Sequence, residues 1–332
     1  MKHSILILLV ALLIGSAGES QAKNKLKFRE GGTFKIVQFT DTHFDQKSGK
    51  SDAVLLLMNE VLDLEKPDLV IFTGDAVTQK PSAEGWKKLT EPLVSRQIPW
   101  AAAFGNHDDE YDLTRKEIRT VIQNIPYNLN QVGPKKVPGF CNYLLPLQSS
   151  SSPKVAALLY CMDSNAYTPI KGVGSYGWFL RPQIDWYVET SQKQTRLNGG
   201  TPLPALAFFH IPLPEYTEAF EKGDISPIGR KDEKVCSPVI NTGLFAAMLE
   251  QGDVMATFTG HDHVNNYISS LHGLGLIYGQ FSGGTNTYGD QTGARIIEMK
   301  EGERSFKTWI RYKGGEKVHE AAFPFKKAEN PK

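Results

Sequence analysis

The chain has 332 residues, 40% of them hydrophobic, and its 37 basic and 36 acidic side chains nearly cancel. A chain of this length buries a full core, as one large domain or two ordinary ones. Because the charge is balanced, we expect neither a nucleic acid nor an anionic membrane as a partner, and a phosphate-bearing ligand would have to be bound locally.

Residues 1–22 are typical of a secretory signal peptide. An apolar stretch over residues 5–14 is followed by small residues, Ser20 and Ala22, which suit the positions before a cleavage site. The stretch is shorter than the roughly 20 residues that a membrane-spanning helix needs. We therefore expect an exported protein, periplasmic or released, in which residues 23–332 form a single domain without a membrane span. A retained membrane anchor is the alternative.

The first third of the chain alternates between strand and helix patterns. Residues 34–39 form a β-branched, apolar run, and Ser51 is a candidate cap for the helix that follows. A second apolar strand at residues 69–72 completes a βαβ unit, which predicts parallel strands. Residues 86–94 then predict a helix and residues 99–104 a third strand.

The remainder of the chain predicts a second group of strands and helices. Strands are expected at residues 143–147, 155–162, 205–209 and 254–258, helices at 182–190 and 242–250, and short strands with Gly-rich turns from 265 to about 312. No internal repeat is visible. This order favours an α/β sandwich of two sheets flanked by helices.

The three cysteines do not describe a disulfide framework, because their number is odd. A single bridge between Cys141 and Cys161, across neighbouring strands, is one interpretation. Buried free thiols are the interpretation that we favour.

Five short polar segments each follow an apolar run. They are Asp41-Thr42-His43, Gly74-Asp75, Gly105-Asn106-His107-Asp108, His210 and Gly260-His261-Asp262-His263. A strand that ends in a polar turn places its last side chains at the carboxyl edge of a sheet, where open α/β folds have their binding sites. Each segment alone has an ordinary explanation, such as a solvated loop, a helix cap or a structural histidine. Together, they predict a two-metal site.

The residue types in these segments suit metal ligation. Asp41 and His43 are two residues apart, so both can reach one ion from an extended turn. The carboxylate of Asp75 has two oxygens and can bridge two cations. Asn106 offers a neutral carbonyl oxygen, while His107 beside it can face a substrate. The two histidines of the last segment lie on one side of their turn, and each can bind a different ion.

The five segments, in this order, resemble the calcineurin-like metallophosphoesterase superfamily, whose signature is D-x-H, G-D, G-N-H-D/E, H and G-H-x-H. The resemblance covers roughly residues 34–312. Residues 72–75, 176–178, 209–216 and 258–263 look like the short, single-domain purple-acid-phosphatase-related proteins of plants and their fungal relatives. The resemblance implies a four-layer α-β-β-α sandwich of two mixed sheets.

The resemblance also implies a role for each candidate residue. Asp41, His43 and His263 would hold the first metal ion, Asn106, His210 and His261 the second, and Asp75 would bridge them. The ions would be divalent Fe, Mn or Zn, and a water bridging them would be acidic enough to attack phosphorus in line as hydroxide. His107 would donate a hydrogen bond or a proton to the leaving oxygen, or stabilise charge on the phosphoryl oxygens.

The implied activity is hydrolysis of small-molecule phosphomonoesters. A phosphodiesterase or pyrophosphatase acting on nucleotides or lipid head groups is the alternative within the class. A metal-binding relative without turnover is the alternative outside it.

The chain departs from its nearest relatives at two positions. True purple acid phosphatases have a tyrosine three residues after the bridging aspartate, where this chain has Thr78, so we expect no purple colour. They have glycine where His43 stands. Serine/threonine phosphatases pair their catalytic histidine with an aspartate at the Thr78 position. That partner is missing here, and Asp108, Asp109 and Asp262 are candidates to replace it.

Substrate determinants are less evident. Tyr176, Trp178 and Tyr216 are candidates for a pocket wall, with core packing as the equal alternative. The charged segment at residues 221–234 is either a mobile lid or a solvated loop.

Overall fold

The computed structural model describes residues 25–284 and 291–326, so the predicted signal peptide lies outside the described residues. The strands are β1 (Thr33–Phe39), β2 (Leu69–Thr73), β3 (Trp100–Ala103), β4 (Tyr143–Gln148), β5 (Val155–Cys161), β6 (Ala205–Phe208), β7 (Val254–Thr259), β8 (Ile268–Leu271), β9 (Leu274–Tyr278), β10 (Gly293–Lys300), β11 (Phe306–Tyr312) and β12 (Lys317–Phe323). The helices are α1 (Lys50–Glu65), α2 (Ser82–Ser95), α3 (Arg115–Gln123), α4 (Arg181–Leu197), α5 (Glu215–Lys222) and α6 (Leu244–Gln251).

The strands form two mixed sheets of six strands each. The first has the order β12-β11-β10-β1-β2-β3 and the second β4-β5-β6-β7-β9-β8. In the first sheet β1, β2 and β3 are parallel, and in the second β5, β6, β7 and β9 are parallel. The fold class predicted from the sequence, an α/β sandwich of two mixed sheets flanked by helices, is confirmed.

Helices cover the outer face of each sheet. Trp86 of α2 stacks on Trp100 of β3 with ring centroids 6.1 Å apart, and Phe72 of β2 meets both rings edge-on. On the second sheet, Tyr187 of α4 packs against Tyr160 of β5 at 5.2 Å. Every residue of β2 and of β7 is buried, as expected for parallel strands that are covered on both faces.

Three elements were not predicted from the sequence: α3, α5 and β12. The start of α3 had a readable signal, because Thr114 and Glu117 form a capping box. The cap predicted for α1 is wrong. Gly49 precedes that helix, and the Ser51 hydroxyl accepts a hydrogen bond from the Asp45 N–H at 2.8 Å instead.

Two further expectations concern the cysteines and the charged segment. Cys141 and Cys161 are buried free thiols, as we favoured, whereas the free thiol of Cys236 is only half-buried. Of the charged segment at residues 221–234, the first two residues end α5 and the rest pairs with β8 and the residues just before it. Ile228 exchanges two backbone hydrogen bonds with Ile268, at 3.0 and 2.8 Å, and a carboxylate oxygen of Glu233 accepts from the Val264 N–H. These contacts argue against a mobile lid.

Within the described residues, we find no helix with both the length and the apolar character that crossing a membrane requires.

Candidate metal centre

The predicted ligands all follow strands whose carboxyl ends lie at one edge of the sandwich. The first sheet contributes Asp41 and His43 after β1, Asp75 after β2 and Asn106 after β3, and the second contributes His210 after β6 and His261 and His263 after β7. Six of these residues form two groups whose ligand atoms lie within 4.8 Å of one another, namely Asp41, His43 and His263, and Asp75, His210 and His261. Each group draws on both sheets.

The first group converges on one point. The Nε2 atoms of His43 and His263 are 3.0 Å apart, and Oδ1 of Asp41 lies 3.6 Å from Nε2 of His263. Two imidazole nitrogens bound tetrahedrally to one zinc ion, at 2.0–2.1 Å each, would be about 3.4 Å apart. The spacing therefore fits three ligands of a single ion.

Asp75 connects the two groups. Its Oδ2 lies 3.2 Å from Nε2 of His210 and 4.0 Å from Nε2 of His43. Its Oδ1 accepts a hydrogen bond from the His107 N–H at 2.8 Å. Nδ1 of His210 donates to the Thr73 carbonyl at 2.7 Å, which turns Nε2 toward the carboxylate. One oxygen of Asp75 is thus fixed by the backbone while the other faces both groups.

The buried polar atoms of the candidate site suit a cationic partner. Among the described residues, Oδ1 of Asn106 and Nε2 of His210 and of His261 lack a hydrogen-bond partner, although Nε2 of His210 lies beside the Asp75 carboxylate. Within that part of the chain, no carboxylate lies as close to Nε2 of His261. The Asn106 amide is oriented by its Nδ2, which donates to the Tyr167 hydroxyl at 3.0 Å. A buried acceptor without a partner costs about 1–3 kcal/mol. All three atoms are suitable metal ligands, so the donor set fits the second ion that the sequence predicts.

The loops after the strands adopt conformations that few residue types tolerate. Asp41, His43, Asp75 and His261 all have positive φ, at 52°, 40°, 49° and 78°. Such left-handed residues cost on the order of 1 kcal/mol each and are typical of functional sites. Glycine is required at position 74, where φ is 91° and a Cβ atom would lie 2.5 Å from the His210 ring.

The charges of the site set the protonation of its ligands. Burial alone would raise the pKa of Asp75 and Asp41, but the neighbouring imidazole of His210 holds both values below the ordinary range. Burial lowers the pKa of His261 to about 3, and it also lowers that of His43. These two histidines are therefore neutral at pH 7, which is the form that binds a metal ion.

His210 behaves differently from His43 and His261. Its burial would lower the pKa, but the carboxylates of Asp75 and Asp41 raise it to about 9. At pH 7, without a metal ion, this imidazole carries a proton. A metal ion must displace that proton in order to bind.

The candidates proposed to orient His107 are wrong. Nδ1 of His107 is hydrogen-bonded to Oε2 of Glu110 at 2.6 Å. Asp108 instead accepts from the backbone N–H groups of Gly105 at 2.7 Å and Ala76 at 2.8 Å, which ties the loop after β3 to the loop after β2.

The other two candidates are also bound elsewhere. Asp109 pairs with Arg115 at 3.1 Å, and Asp262 accepts from the hydroxyl of Tyr278 at 2.5 Å. The charge and the i, i+3 spacing of Glu110 were the signal that the sequence analysis missed.

The predicted aromatic wall is only partly correct. Tyr176 lies at the site, edge-on to the His261 ring with centroids 4.5 Å apart. Tyr216 is fully buried, and its hydroxyl contacts the Thr257 hydroxyl at 2.8 Å, so it belongs to the core. Trp178 lies beside a small apolar cavity that is also lined by Ile211.

Tyr167, which the sequence analysis did not single out, also belongs to the wall. Its ring faces that of Tyr176 at 6.2 Å and meets the His107 ring edge-on at 6.5 Å.

Fold and site together define an α/β sandwich with a candidate dinuclear metal centre at the strand ends. The family model described as "Calcineurin-like phosphoesterase" matches residues 34–265, and the chain belongs to that family. The family resemblance stated from the sequence is thereby confirmed.

Several curated relatives match most of the chain, and two of them illustrate the likeness. "Probable inactive purple acid phosphatase 29" of Arabidopsis thaliana is 31% identical, over 93% of this chain and 90% of that protein. "Phosphatase DCR2" of Saccharomyces cerevisiae is 32% identical, over 92% of this chain and 58% of that protein.

Many solved structures match the chain, and two of them show the shared fold. A dimetal phosphatase from Danio rerio superposes with a TM-score of 0.60 at 12% identity and covers 87% of this chain and 98% of its own. The purple acid phosphatase PPD1 of yellow lupin has a TM-score of 0.53 at 14% identity and covers 89% of this chain and 54% of its own. At these identities the likeness extends to the fold alone.

Proposed function

We propose that the chain is an exported phosphoesterase that binds two divalent metal ions and hydrolyses phosphomonoesters. The observation that carries the proposal is the position of Asp75, whose Oδ2 lies 3.2 Å from a ligand atom of one group and 4.0 Å from one of the other. Family membership supports the reaction class. Export rests on the sequence of residues 1–22.

The proposed ligands are those predicted from the sequence. One ion would be held by Asp41, His43 and His263, the other by Asn106, His210 and His261, and Asp75 would contact both. When bound, such ions supply Lewis acidity to the phosphoryl oxygens and make water more acidic. Four imidazoles with carboxylate and amide oxygens suit Zn, Fe(II) or Mn.

His107 has the position of a proton donor at the mouth of the site. Its side chain is 40% exposed, and its Nδ1 is bonded to Glu110, so Nε2 is the ring nitrogen left for an ester. As water adds to phosphorus, the bond to the leaving oxygen breaks and its electron pair stays on that oxygen. The donor is the imidazolium of His107, whose Nδ1–H bonds to Glu110 and whose Nε2–H faces the ester. The leaving oxygen takes the Nε2 proton, and a proton from the attacking water then returns to Nε2.

The first test is metal content and turnover of the mature protein, residues 23–332. We would assay p-nitrophenyl phosphate against bis-p-nitrophenyl phosphate, with Mn, Zn and Fe(II) added in turn. We expect two ions per chain and faster hydrolysis of the monoester than of the diester. Preference for the diester would instead support the phosphodiesterase alternative.

Replacement of His107 by alanine tests its role separately from metal binding. Because His107 is not a proposed ligand, we expect His107→Ala to keep both ions and to lower turnover by about 100-fold or more. Unchanged turnover would remove His107 from the mechanism.

A second candidate function is metal binding without turnover. The name of the Arabidopsis relative, which includes the word "inactive", favours it. Two ions per chain with no hydrolysis of either ester would support this function.

A further inference from the structure

Hydrogen bonds through a glutamate and a tyrosine join Asn106 to His107. Nδ2 of Asn106 donates to the Tyr167 hydroxyl at 3.0 Å, and this hydroxyl donates to Oε1 of Glu110, also at 3.0 Å. The other oxygen of Glu110, Oε2, accepts from Nδ1 of His107 at 2.6 Å. A proposed metal ligand and the proposed proton donor, adjacent in sequence, are thus the two ends of one chain of bonds.

Glu110 is the acidic residue with an oxygen available for His107. Of the two acids that precede it, Asp108 is buried and accepts backbone hydrogen bonds, and Asp109 pairs with Arg115. The Glu110 N–H donates to the His107 carbonyl at 3.4 Å, which folds the chain back in a turn. This turn brings a side chain three residues away beside the imidazole.

A hairpin after β5 fixes the position of Tyr167. The two arms are joined by the Thr168 N–H to the Ser175 carbonyl and the Gly177 N–H to the Ala166 carbonyl, both at 2.9 Å. The hairpin follows β5 of the second sheet, whereas Glu110 follows β3 of the first. The hydroxyl therefore holds Glu110 from across the site.

We propose that Glu110 is a positioning residue for His107, that Tyr167 holds Glu110 in place, and that this pair promotes hydrolysis of esters with poor, alkyl leaving groups. The proposal rests on the proposed phosphoesterase function. Because the Nδ1–H of His107 donates to Glu110, the imidazolium form presents its Nε2–H to the leaving oxygen. An alkoxide needs a donated proton more than p-nitrophenolate does, so loss of positioning should affect alkyl esters most.

The kinetic test compares two substrates, glycerol 2-phosphate and p-nitrophenyl phosphate. Glu110→Ala should lower kcat by about 100-fold on the alkyl ester and by less than about tenfold on the aryl ester. Glu110→Gln and Tyr167→Phe should show smaller losses with the same substrate bias. Both Glu110 variants should keep wild-type metal content, and Tyr167→Phe is assayed with excess metal because Tyr167 also orients Asn106. Equal losses on both esters, or a loss of metal from either Glu110 variant, would overturn the proposal.

Two exposed residues provide matched controls for these variants. Glu91 is exposed on α2, and Tyr111 is 42% exposed beside Glu110. Glu91→Gln and Tyr111→Phe should leave the ratio of the two rates unchanged. A ratio altered to the same extent by Tyr111→Phe would show that any nearby aromatic change has the effect, and would overturn the role of Tyr167.

A second readout does not depend on activity. In the zinc-loaded protein labelled with ¹⁵N-histidine, long-range ¹H–¹⁵N spectra report which imidazole nitrogen carries a proton, and His107→Ala assigns the signals. We expect a protected Nδ1 proton on His107 that Glu110→Ala removes. An unchanged signal overturns the positioning role. If the wild type hydrolyses no ester but the signal depends on Glu110, the proposed function fails and the positioning stands.

Discussion

The two carboxylate oxygens of Asp75 have different surroundings. Oδ1 is held by the His107 N–H, and Oδ2 faces His210 and His43. A carboxylate with one oxygen fixed cannot turn away when its partners change. Its second oxygen is therefore preorganised to contact two cations.

Replacement of this one residue should affect both ions. Asp75→Asn removes the shared charge, so we expect the affinity for each ion to fall by at least about tenfold. Metal analysis after dialysis measures the loss of each ion. Asp112→Asn is the control, because Asp112 accepts hydrogen bonds from the N–H and hydroxyl of Ser82, the first residue of α2, outside the site. Loss of one ion with full retention of the other would contradict the bridging role.

Metal binding should also depend on pH through His210. The carboxylates of Asp75 and Asp41 raise the pKa of this histidine to about 9 although burial would lower it. Below that pH a proton competes with the metal, so affinity should rise about tenfold per pH unit from pH 6 to 8. Calorimetry in buffers of different ionisation enthalpy measures the released proton. An affinity independent of pH would show that His210 is already neutral.

At the scale of elements, buried polar contacts fix the C-terminal end of α1 against the first sheet. Glu65, the last residue of α1, is 4% exposed. Its carboxylate accepts from Nε1 of Trp309 at 3.0 Å, from Nε of Arg311 at 2.8 Å and from Nζ of Lys35 at 3.2 Å. It thereby ties α1 to β11 and β1.

Glu65→Gln should therefore destabilise the fold in a pH-dependent way. We expect the free energy of unfolding to fall by about 2 kcal/mol at pH 7, because the charged acceptor is lost. Burial would raise the pKa of Glu65, but the donors Trp309, Arg311 and Lys35 lower it below its ordinary 4.5. The stabilisation is thus present above pH 4.5 and is lost as the pH falls further.

Urea unfolding of wild type and variant at pH 7 and in acid tests this prediction. The control is Glu298→Gln, because Glu298 lies 3.8 Å from the same lysine but is more exposed, and we expect a much smaller effect. If the variant remains less stable than the wild type in acid, the loss of stability comes from packing and not from the charge of Glu65.

At the scale of the whole molecule, the proposed metal centre links the two sheets. Each ligand group takes residues from strand ends of both sheets. Arg115 adds a protein link, since it donates to the Gly105 carbonyl after β3 and pairs with Asp163 after β5 at 3.0 Å. The edge of the sandwich that carries the site is therefore held by polar contacts as well as by the apolar core.

Removal of metal should consequently lower thermal stability. A ligand at 100 times its Kd stabilises the folded state by about 2.7 kcal/mol, so chelation should lower Tm by several degrees. Scanning calorimetry before and after chelation measures this shift. Asp75→Asn should show a smaller shift at the same metal concentration. An equal shift in the variant would indicate that the metal acts elsewhere on the protein.

The sequence by itself determined the fold class and the order of the candidate ligands. Apolar runs that end in Asp, Asn or His are local patterns, and parallel strands bring such ends to one edge whatever the details of packing. The capping box at Thr114 was an equally local signal, although we did not predict α3 from it. The sequence therefore predicted which side chains meet at the edge.

Only the tertiary structure decided which residues surround those ligands. Tyr167 reaches Asn106 across 61 residues of sequence, and Tyr216, an equally plausible wall residue, is buried in the core. Glu110 was near His107 in sequence, but the commitment of Asp108 and Asp109 to other partners made it the acid that binds the imidazole. Such choices depend on how the two sheets and their loops pack, and packing is set by long-range contacts that no local pattern contains.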